Sequence, residues 1–352
     1  MDFTKSSAGR LKVALIGAGQ VAEKVHVACY ANMADILLVA VADCDENRAQ
    51  AFARRNHAGR AYTSVMAMLQ AEKPDIVSVC SPNLFHHEHV ITALRHGCHV
   101  FCEKPPAMTA EQAYEMWQVA KEENRLLAYD FHHRFADDAR VLREKVAAGE
   151  LGEVYVTTAR ALRRCGVPGW GNFIDKTQSG GGPLIDIGIH MLDAAMFVLG
   201  FPKVRKVTAQ MFQKMGNRKS EGQFGSWDPK KYNVEDSVFA AIEFDDGGLL
   251  RLETSFALNI QPGSVMNVEF CGVKAGATLF PAQIYSDEKG ELVTHFARDV
   301  ADDQRHARSV QAFVLAVRGE PVALADAEQG YRMQQLVAAI YQAAESGESV
   351  YL

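Results

Sequence analysis

The stretch LKVALIGAGQVA, residues 11–22, decides the fold of the first part of the chain. Its apolar residues 11–16 predict a buried strand, and the glycine-rich turn after them leads into a segment of helical character. Gly17, Gly19 and Ala22 have the spacing G-x-G-x-x-A, which permits a tight turn, a close approach to a pyrophosphate and close helix–strand packing. The stretch therefore predicts a strand–turn–helix unit that binds a dinucleotide.

The residues around this turn bear on the choice of nucleotide. Gln20 and Val21 open the predicted helix, whose first N–H groups and positive dipole end attract phosphate. Asp43 ends the second predicted strand, 24 residues beyond Gly19, where a carboxylate can accept hydrogen bonds from an adenosine ribose. It would also repel a 2′-phosphate, and the next basic residue is Arg48. We therefore expect NAD rather than NADP as the cofactor.

Strands alternate with helices up to residue 130, which predicts a parallel, doubly wound sheet. The predicted strands span 11–16, 36–42, 76–81, 99–102 and 126–130, and the helices after the first turn span 46–55, 85–96 and 109–123.

Beyond residue 130 the pattern changes to runs of strands, which predicts an α+β domain on a large, mostly antiparallel open sheet. The expected strands are 154–161, 204–212, 237–244, 249–256, 266–271 and 277–280, with helices at 136–148, 303–317 and 326–345. We therefore expect two domains, a dinucleotide-binding α/β domain at 1–130 and a substrate-binding and oligomerisation domain at 131–352.

The bulk properties exclude several classes of protein. The chain has 352 residues, 48% of them hydrophobic and 23% charged, with a formal net charge of −6. That charge argues against binding nucleic acid through its phosphates. The polar start MDFTKSSAGR resembles no signal peptide, and the longest apolar run, 36–42, is too short to span a bilayer. Seven cysteines without paired spacing are typical of a reducing cytoplasm. We expect a cytoplasmic protein without a membrane or nucleic-acid partner.

The segment GGGPLIDIGIHMLD, residues 180–193, reads as an apolar helix with one charged stripe. On an α-helical wheel His190 falls about 40° from Asp186, and Asp193 about 20° from it on the other side. A buried carboxylate–imidazole–carboxylate row costs free energy unless it is paired or used. We favour a functional role over the alternative of a core histidine held by a neighbouring aspartate.

A lysine follows the predicted strand 99–102. Glu103 and Lys104 begin the segment EKPP, and the carboxyl ends of parallel strands face the ligand crevice in such sheets. We expect Lys104 to point towards a bound nicotinamide, where burial and a nearby positive charge would lower its pKa. The alternative is a surface lysine in a turn, and the sequence alone leaves both open.

A metal site is not expected. His86, His87 and His89 are close in sequence, but on a helix His87 points away from the other two. No cysteine or carboxylate set completes a tetrahedral site at a suitable spacing.

The chain resembles the Gfo/Idh/MocA oxidoreductase family from end to end. The motifs that carry the resemblance are GAGQVA (17–22), VADCD (41–45), SPN-x2-H (81–86), EKP (103–105) and GGGPLIDIGIHMLD (180–193). The family implies an N-terminal Rossmann domain, a C-terminal domain whose open sheet is commonly buried in a dimer or tetramer, NAD or NADP as cofactor, and sugars or polyols as substrates.

The resemblance also implies roles for individual residues. Lys104, Asp186 and His190 match the catalytic positions, Asp193 matches a substrate contact, and positions near the nicotinamide are matched by Ser81, Asn83, His86, Glu103 and Lys104. The segment FHHRF (131–135) departs from the family pattern. Further segments, including TARALRRCGVPGWG (158–171) and VEDS (234–237), are similar to the branch that oxidises D-glucosides at carbon 3 with NAD.

These residues suggest how a secondary alcohol is oxidised. We expect His190, oriented by Asp186, and Lys104 to act on one hydroxyl oxygen, with either His190 or a neutral Lys104 as the base. Trp170, Tyr232 and Asp193 are expected to contact the sugar. The alternatives are an inositol 2-dehydrogenase or another polyol dehydrogenase, a glycosidase that uses NAD transiently, and a non-enzymatic NAD-binding regulator.

Overall fold

The computed structural model describes residues 9–298 and 304–352, which pack into two compact units. The first unit extends to His132 and also includes His306–Gln334. The second consists of His133–Arg305 and Gln335–Leu352. The division into two domains at residue 130 remains a proposal, since residues 306–334 pack with the first unit.

The strands alternate with helices first and follow one another later. They are β1 (Leu11–Ile16), β2 (Ile36–Ala42), β3 (Arg60–Tyr62), β4 (Ile76–Val79), β5 (His99–Cys102), β6 (Leu127–Tyr129), β7 (Val154–Arg163), β8 (Val204–Phe212), β9 (Glu221–Gly222), β10 (Gly225–Ser226), β11 (Ser237–Phe244), β12 (Leu249–Ser255), β13 (Ser264–Gly272), β14 (Gly276–Thr278), β15 (Gln283–Glu288), β16 (Glu291–Ala297) and β17 (Val350–Tyr351).

The helices are α1 (Ala28–Tyr30), α2 (Glu46–Asn56), α3 (Val65–Glu72), α4 (His86–Arg95), α5 (Ala110–Glu122), α6 (Asp137–Ala147), α7 (Lys176–Ser179), α8 (Ile189–Val198), α9 (Arg305–Val317) and α10 (Ala327–Ser346). Two of them are entered through π-helical turns, Ala22–Val27 before α1 and Leu184–Gly188 before α8. Short 3₁₀ turns occupy Asn83–Phe85 and His132–Phe135.

The first unit contains a six-stranded parallel sheet in the order β3-β2-β1-β4-β5-β6. The order reverses direction at β1, as in a Rossmann fold, so the crevice for a nucleotide lies at the carboxyl ends of β1 and β4. Strand β4 is buried along its whole length, as expected for a parallel strand covered on both faces. The predicted doubly wound sheet is confirmed.

The second unit contains a nine-stranded sheet in the order β16-β15-β14-β13-β7-β12-β11-β8-β17. Strand β12 pairs with β7 in parallel, and the other pairings among the described strands of this sheet are antiparallel. The sheet is therefore mixed but mostly antiparallel, as the sequence predicts.

The helix that carries the motif of residues 180–193 forms the core of the second unit. Lys176–Val198 is long and apolar enough to cross a membrane by length and composition, but 94% of its most apolar window is buried inside the protein. Glycine permits its close approach to the sheet, since a Cβ at Gly188 would lie 2.9 Å from Oγ1 of Thr254 on β12. These contacts are those of a core helix.

One face of the large sheet carries paired charges. Arg160 on β7 pairs with Glu253 at 3.4 Å and with Glu269 at 3.1 Å. This part of the face therefore carries a ladder of charges.

Candidate active site

The glycine-rich turn has the geometry that its sequence predicts. Gly17 has a φ of +98°, and a Cβ there would lie 2.6 Å from the carbonyl oxygen of Cys80, so only glycine fits. A Cβ at Gly19 would meet no atom within 4 Å. Gln20 is exposed and Val21 half-buried beside it. The space over Gly19 at a helix N-terminus fits a pyrophosphate.

Asp43 is held against this turn by backbone amides. Its Oδ2 accepts a hydrogen bond from the Ala18 N–H at 2.9 Å, and its Oδ1 accepts one from the Asp45 N–H at 3.0 Å. The guanidinium of Arg48 lies 3.6 Å from Oδ1, on a side chain that is 56% exposed. Asp43 thus has the fixed position expected of a ribose ligand, and the exposed side chain of Arg48 lies beside it.

At the ends of β4 and β5, His86 joins two loops. Its Nδ1 lies 2.7 Å from the carbonyl oxygen of Pro105, and its Nε2 lies 2.9 Å from that of Ser81. The ring is fully buried, and burial lowers the pKa of His86, so the neutral ring donates to one carbonyl at a time. His86 therefore fixes the segment after Lys104, whose bond to Pro105 is cis.

Each carboxylate oxygen of Glu103 accepts a hydrogen bond. Its Oε1 accepts a hydrogen bond from Nε2 of the fully buried His26 at 2.9 Å, and its Oε2 accepts one from the Lys104 backbone N–H at 3.3 Å. Burial alone would raise the pKa of Glu103, but the hydrogen bond and charge of His26, with Lys104 and His306, lower it. Burial opposes the charged form of His26 as well, and contacts with Cys80 and Glu103 nevertheless raise its pKa. The two side chains form a buried ion pair beside the predicted catalytic lysine, which is itself half-buried.

The three histidines near the start of α4 have different partners. His86 bridges two carbonyls, as described above, whereas His87 pairs with Glu115 at 2.9 Å and Nδ1 of His89 lies 2.9 Å from Oγ of Ser81. Asn83 lies in the 3₁₀ turn that precedes them and is half-buried. The three rings do not point at one shared position.

In the second unit, the segment that carries Asp186 is not α-helical. Residues Leu184–Gly188 form a π-helical turn, in which the Ile189 N–H donates to the Leu184 carbonyl. The hydroxyl of Thr254 donates to the Pro183 carbonyl at 3.1 Å, and such a side chain inserted at a helix ladder changes its winding. The angular offset calculated for an α-helix therefore does not apply between Asp186 and His190.

The three predicted site residues of this helix become more buried from Asp186 to Asp193. Asp186 is half-buried, His190 is 7% exposed and Asp193 is fully buried. The ring of His133 lies 5.1 Å from that of His190. Burial is the main influence that lowers the pKa of Arg163, and the charge of Asp186 opposes it. The predicted catalytic acid and imidazole thus lie among two further basic side chains that the motif alone does not reveal.

Asp193 has a partner that the sequence analysis missed. Nε of Arg134 donates to its Oδ2 at 3.0 Å, and Nη2 donates to its Oδ1. Burial raises the pKa of Asp193, while Arg134 acts in the opposite direction. Arg134 belongs to the FHHRF segment (131–135), which departs from the common family pattern. That departure was the available sign that this segment has a role of its own.

The two aromatic residues expected at the substrate have different surroundings. Trp170 is 51% exposed and packs edge-on against Phe224, with ring centroids 5.8 Å apart. Tyr232 is buried and its hydroxyl donates to the Glu235 carbonyl at 3.2 Å. Trp170 is thus accessible to a ligand in this unit, whereas Tyr232 packs beneath a loop.

Glu235 caps the helical segment of residues 184–198 and was not singled out from the sequence. Its carboxylate accepts hydrogen bonds from the N–H of Gly182 at 2.9 Å, the N–H of Leu184 at 3.3 Å and the hydroxyl of Tyr341 at 2.9 Å. Burial raises the pKa of Glu235. A carboxylate at this position satisfies the first amides of the helix that carries Asp186.

The fold and these motifs define an NAD-dependent oxidoreductase with a Rossmann domain. Residues 11–131 match the oxidoreductase family with an NAD-binding Rossmann fold, and residues 143–352 match the C-terminal alpha/beta domain of the same family. The chain belongs to this family, Gfo/Idh/MocA.

Relatives place the chain more closely. It is 63% identical over 342 residues to D-glucoside 3-dehydrogenase of Escherichia coli (strain K12), covering 97% of each chain. Among solved structures, an oxidoreductase domain protein from Kribbella flavida superimposes with a TM-score of 0.85 at 20% identity, over 97% of this chain and 99% of that one. Levoglucosan dehydrogenase, solved with NADH and levoglucosan, gives a TM-score of 0.82 at 21% identity, again over 97% and 99%. The two structures share the fold.

Proposed function

We propose that the protein oxidises the C3 hydroxyl of a D-glucoside or related sugar by transferring hydride to NAD. The observation that carries the substrate is the 63% identity to a D-glucoside 3-dehydrogenase over 97% of both chains. The NAD-binding family and the open, amide-lined turn at Gly19 support the cofactor.

Each unit has a part in the proposed reaction. The first unit holds the nucleotide through Gly17, Gly19 and Asp43, and it contributes Lys104. The second contributes Asp186 and His190. NAD, when bound, supplies the hydride acceptor.

The chain's own residues handle the proton. A neutral His190 takes the hydroxyl proton near pH 7, with Asp186 orienting the ring. A protonated Lys104 stabilises the charge that develops on the oxygen, whereas a neutral Lys104 would itself act as the base. The pH profiles of kcat in the Lys104→Met and His190→Ala variants distinguish the two assignments.

Substrate contacts are proposed for three further residues. Trp170 offers an exposed ring on which a sugar can stack. Asp193, which the family implies, and Tyr232 complete the set, although Arg134 and the Glu235 carbonyl hold them in this structure. Neighbouring hydroxyls would have to compete with those partners.

We further infer a cytoplasmic protein that forms a homodimer or homotetramer. All seven cysteines are free thiols, two of them exposed, which suits a reducing compartment. The ion pairs of Arg160 with Glu253 and Glu269 lie on one face of the large sheet. A partly polar face of this kind suits self-association through the sheet. No nucleic-acid or membrane partner is proposed.

A panel of substrates tests the proposal. Methyl glucosides, free sugars and inositols are incubated with NAD, and reduced cofactor is followed by its absorbance. We expect the glucosides to be oxidised most efficiently. A preference for inositols would assign the chain to polyol oxidation, and cofactor binding without any reduction would leave only a nucleotide-binding regulator.

Variants of the proposed machinery provide the matching control. Lys104→Met and His190→Ala should each lower kcat by about 10²–10⁴-fold, the range that one acid–base group contributes, while NAD affinity stays close to that of the wild type. Near-normal turnover in either variant would remove that residue from the mechanism.

A further inference from the structure

Two acid–imidazole pairs lie at the carboxyl ends of the strands in the first unit. His26 pairs with Glu103 at 2.9 Å, and Nδ1 of His306 at the start of α9 lies 2.9 Å from Oδ2 of Asp130 after β6. Glu103 directly precedes Lys104. The proposed chemistry uses neither His26, Asp130 nor His306.

The two pairs are close enough for a proton to pass between them. One side-chain nitrogen or oxygen from each of His26, Glu103 and Asp130 lies within 4.8 Å of the other two. All three residues are buried, and Oδ1 of Asp130 has no hydrogen-bond partner among the residues that the structure describes. A buried oxygen without a partner is costly. One water molecule, or a small rotation of the carboxylate, spans a gap of this size.

The cluster has one end near solvent. The side chain of His306 is 34% exposed, and its ring stacks on that of His132 with centroids 3.7 Å apart. Asp130 is fully buried behind it. The order Glu103 and His26, then Asp130, then His306 therefore leads from a buried carboxylate to an accessible imidazole.

We propose that this cluster is a proton exit for the dehydrogenase reaction, an inference that rests on the proposed function. Oxidation of the alcohol sends a hydride to NAD and releases the hydroxyl proton, so one proton must leave for each reduced cofactor. With neutral Lys104 as the base, the substrate O–H bond breaks as an N–H bond forms on Lys104. An N–H bond of the resulting ammonium then breaks as an O–H bond forms on the neighbouring Glu103, on which the charge of Lys104 acts. The proton then passes to Asp130, and next to His306, which releases it to water.

The charged groups of the cluster suit transfer of the proton from Glu103 towards His306. Two carboxylates face two imidazoles. Further titratable groups that interact electrostatically with them are Lys104, His86, Tyr30, Cys29, Cys80 and Cys102. His26 keeps its proton, because its contacts with Cys80 and Glu103 outweigh burial and raise its pKa. The accessible His306 is therefore the group that exchanges protons with the solvent.

A metal site on Asp130, His132 and His306 fits the geometry less well. The two imidazole rings stack at an interplanar angle of 29°, which sends their in-plane lone pairs side by side. Ligands of one ion must converge on a point.

The test is His306→Asn, which retains a hydrogen-bond donor to Asp130 but cannot relay a proton. The matched control is His96→Asn on the same unit, at an exposed position. In weakly buffered solution with NAD and the best substrate, we expect His306→Asn to lower kcat roughly tenfold, less than loss of the base itself. The solvent deuterium isotope effect on kcat should increase, and added imidazole should restore the rate in proportion to its concentration. His96→Asn should behave like the wild type.

A second readout does not depend on turnover. Histidine NMR titrations compare the holoenzyme with Asp130→Asn, after thermal unfolding has shown that the variant is folded. The proposal expects the His26 signal to shift when the Asp130 carboxylate is removed, because one side-chain nitrogen or oxygen from each of His26, Glu103 and Asp130 lies within 4.8 Å of the other two.

The outcomes separate the two proposals. If His306→Asn matches His96→Asn in rate, isotope effect and response to imidazole, the exit path is wrong whatever the substrate. If no glucoside is oxidised, the proposed function fails, and the NMR titrations decide the path alone, an unshifted His26 signal contradicting it.

Discussion

Arg134 donates two hydrogen bonds to the carboxylate of Asp193, which lies about one helical turn beyond His190. Nε lies 3.0 Å from Oδ2, and Nη2 bonds to Oδ1, with side-chain exposures of 2% and 0%. The rings of Phe197 and Phe201 lie 5.3 and 5.2 Å from the guanidinium carbon. The pair is therefore desolvated and belongs to the packing around the helix of the proposed active site.

Removing one partner of this pair should be costly, because the other charge stays buried. We expect Asp193→Ala to lower the free energy of unfolding by about 3–5 kcal/mol in urea titrations. The double variant Arg134→Met/Asp193→Leu should recover much of that loss. A loss below about 1 kcal/mol, together with a raised KM for the sugar, would indicate instead that Asp193 acts mainly as a substrate contact.

Thr254 should control the π-helical turn that carries Asp186. Thr254→Val removes the hydroxyl that donates to the Pro183 carbonyl, and we expect a loss of about 1–3 kcal/mol in unfolding free energy together with a lower kcat. Thr254→Ser keeps the hydroxyl and serves as the matched control. A kcat unchanged in the valine variant would separate the turn from catalysis.

The His26–Glu103 pair predicts a specific dependence of stability on pH. The pKa of Glu103 is lowered from its ordinary value of 4.5, so its contribution is present above that pH and is lost as pH falls through the lowered value. The pKa of His26 is raised well above 6.5, so its contribution is complete below 6.5 and is lost as pH rises through the raised value.

Both contributions are therefore complete between about pH 4.5 and 6.5. The difference in Tm between the wild type and His26→Gln should be largest in this window and should shrink on either side. His96→Gln should give a difference that hardly varies with pH. A His26→Gln difference independent of pH would argue against an ion pair.

The sequence predicted the elements whose patterns are local and regular. Strands at 36–42, 99–102, 204–212 and 237–244 occur with the expected bounds. The turn residues DDGG at 245–248, typical of a hairpin, join β11 to β12, with Gly247 at a φ of +90°. The helix predicted at 109–123 occurs as Ala110–Glu122, and the hydroxyl of Thr109 caps it by accepting from the Gln112 N–H at 3.3 Å.

Other elements lacked such signals. β3 has three residues, and β16 is almost wholly exposed and has no apolar alternation, so neither shows the period of a half-buried strand. The expectation of an α-helix at Asp186 was wrong because Thr254, 68 positions further along the chain, sets the winding there. Arg134 and His306 could not be assigned for the same reason, since their partners Asp193 and Asp130 are distant in sequence.

Asp43 should determine cofactor preference. Because its carboxylate is fixed beside the turn by the Ala18 and Asp45 amides, the wild type should have a higher kcat/KM with NAD than with NADP. Asp43→Ala should lose at least about tenfold in kcat/KM with NAD, or about 1.4 kcal/mol. Arg48→Ala should leave NAD efficiency intact and reduce any residual use of NADP. Equal efficiency with both cofactors in the wild type would refute this role.

Transfer of deuterium from carbon 3 tests the central claim most directly. A methyl D-glucoside labelled with deuterium only at C3 is incubated with the protein and NAD, and both products are examined by NMR and mass spectrometry. We predict a 3-ketoglucoside and reduced cofactor that carries the label at C4 of the nicotinamide. Unlabelled reduced cofactor, or a ketone at another carbon, would contradict the assignment.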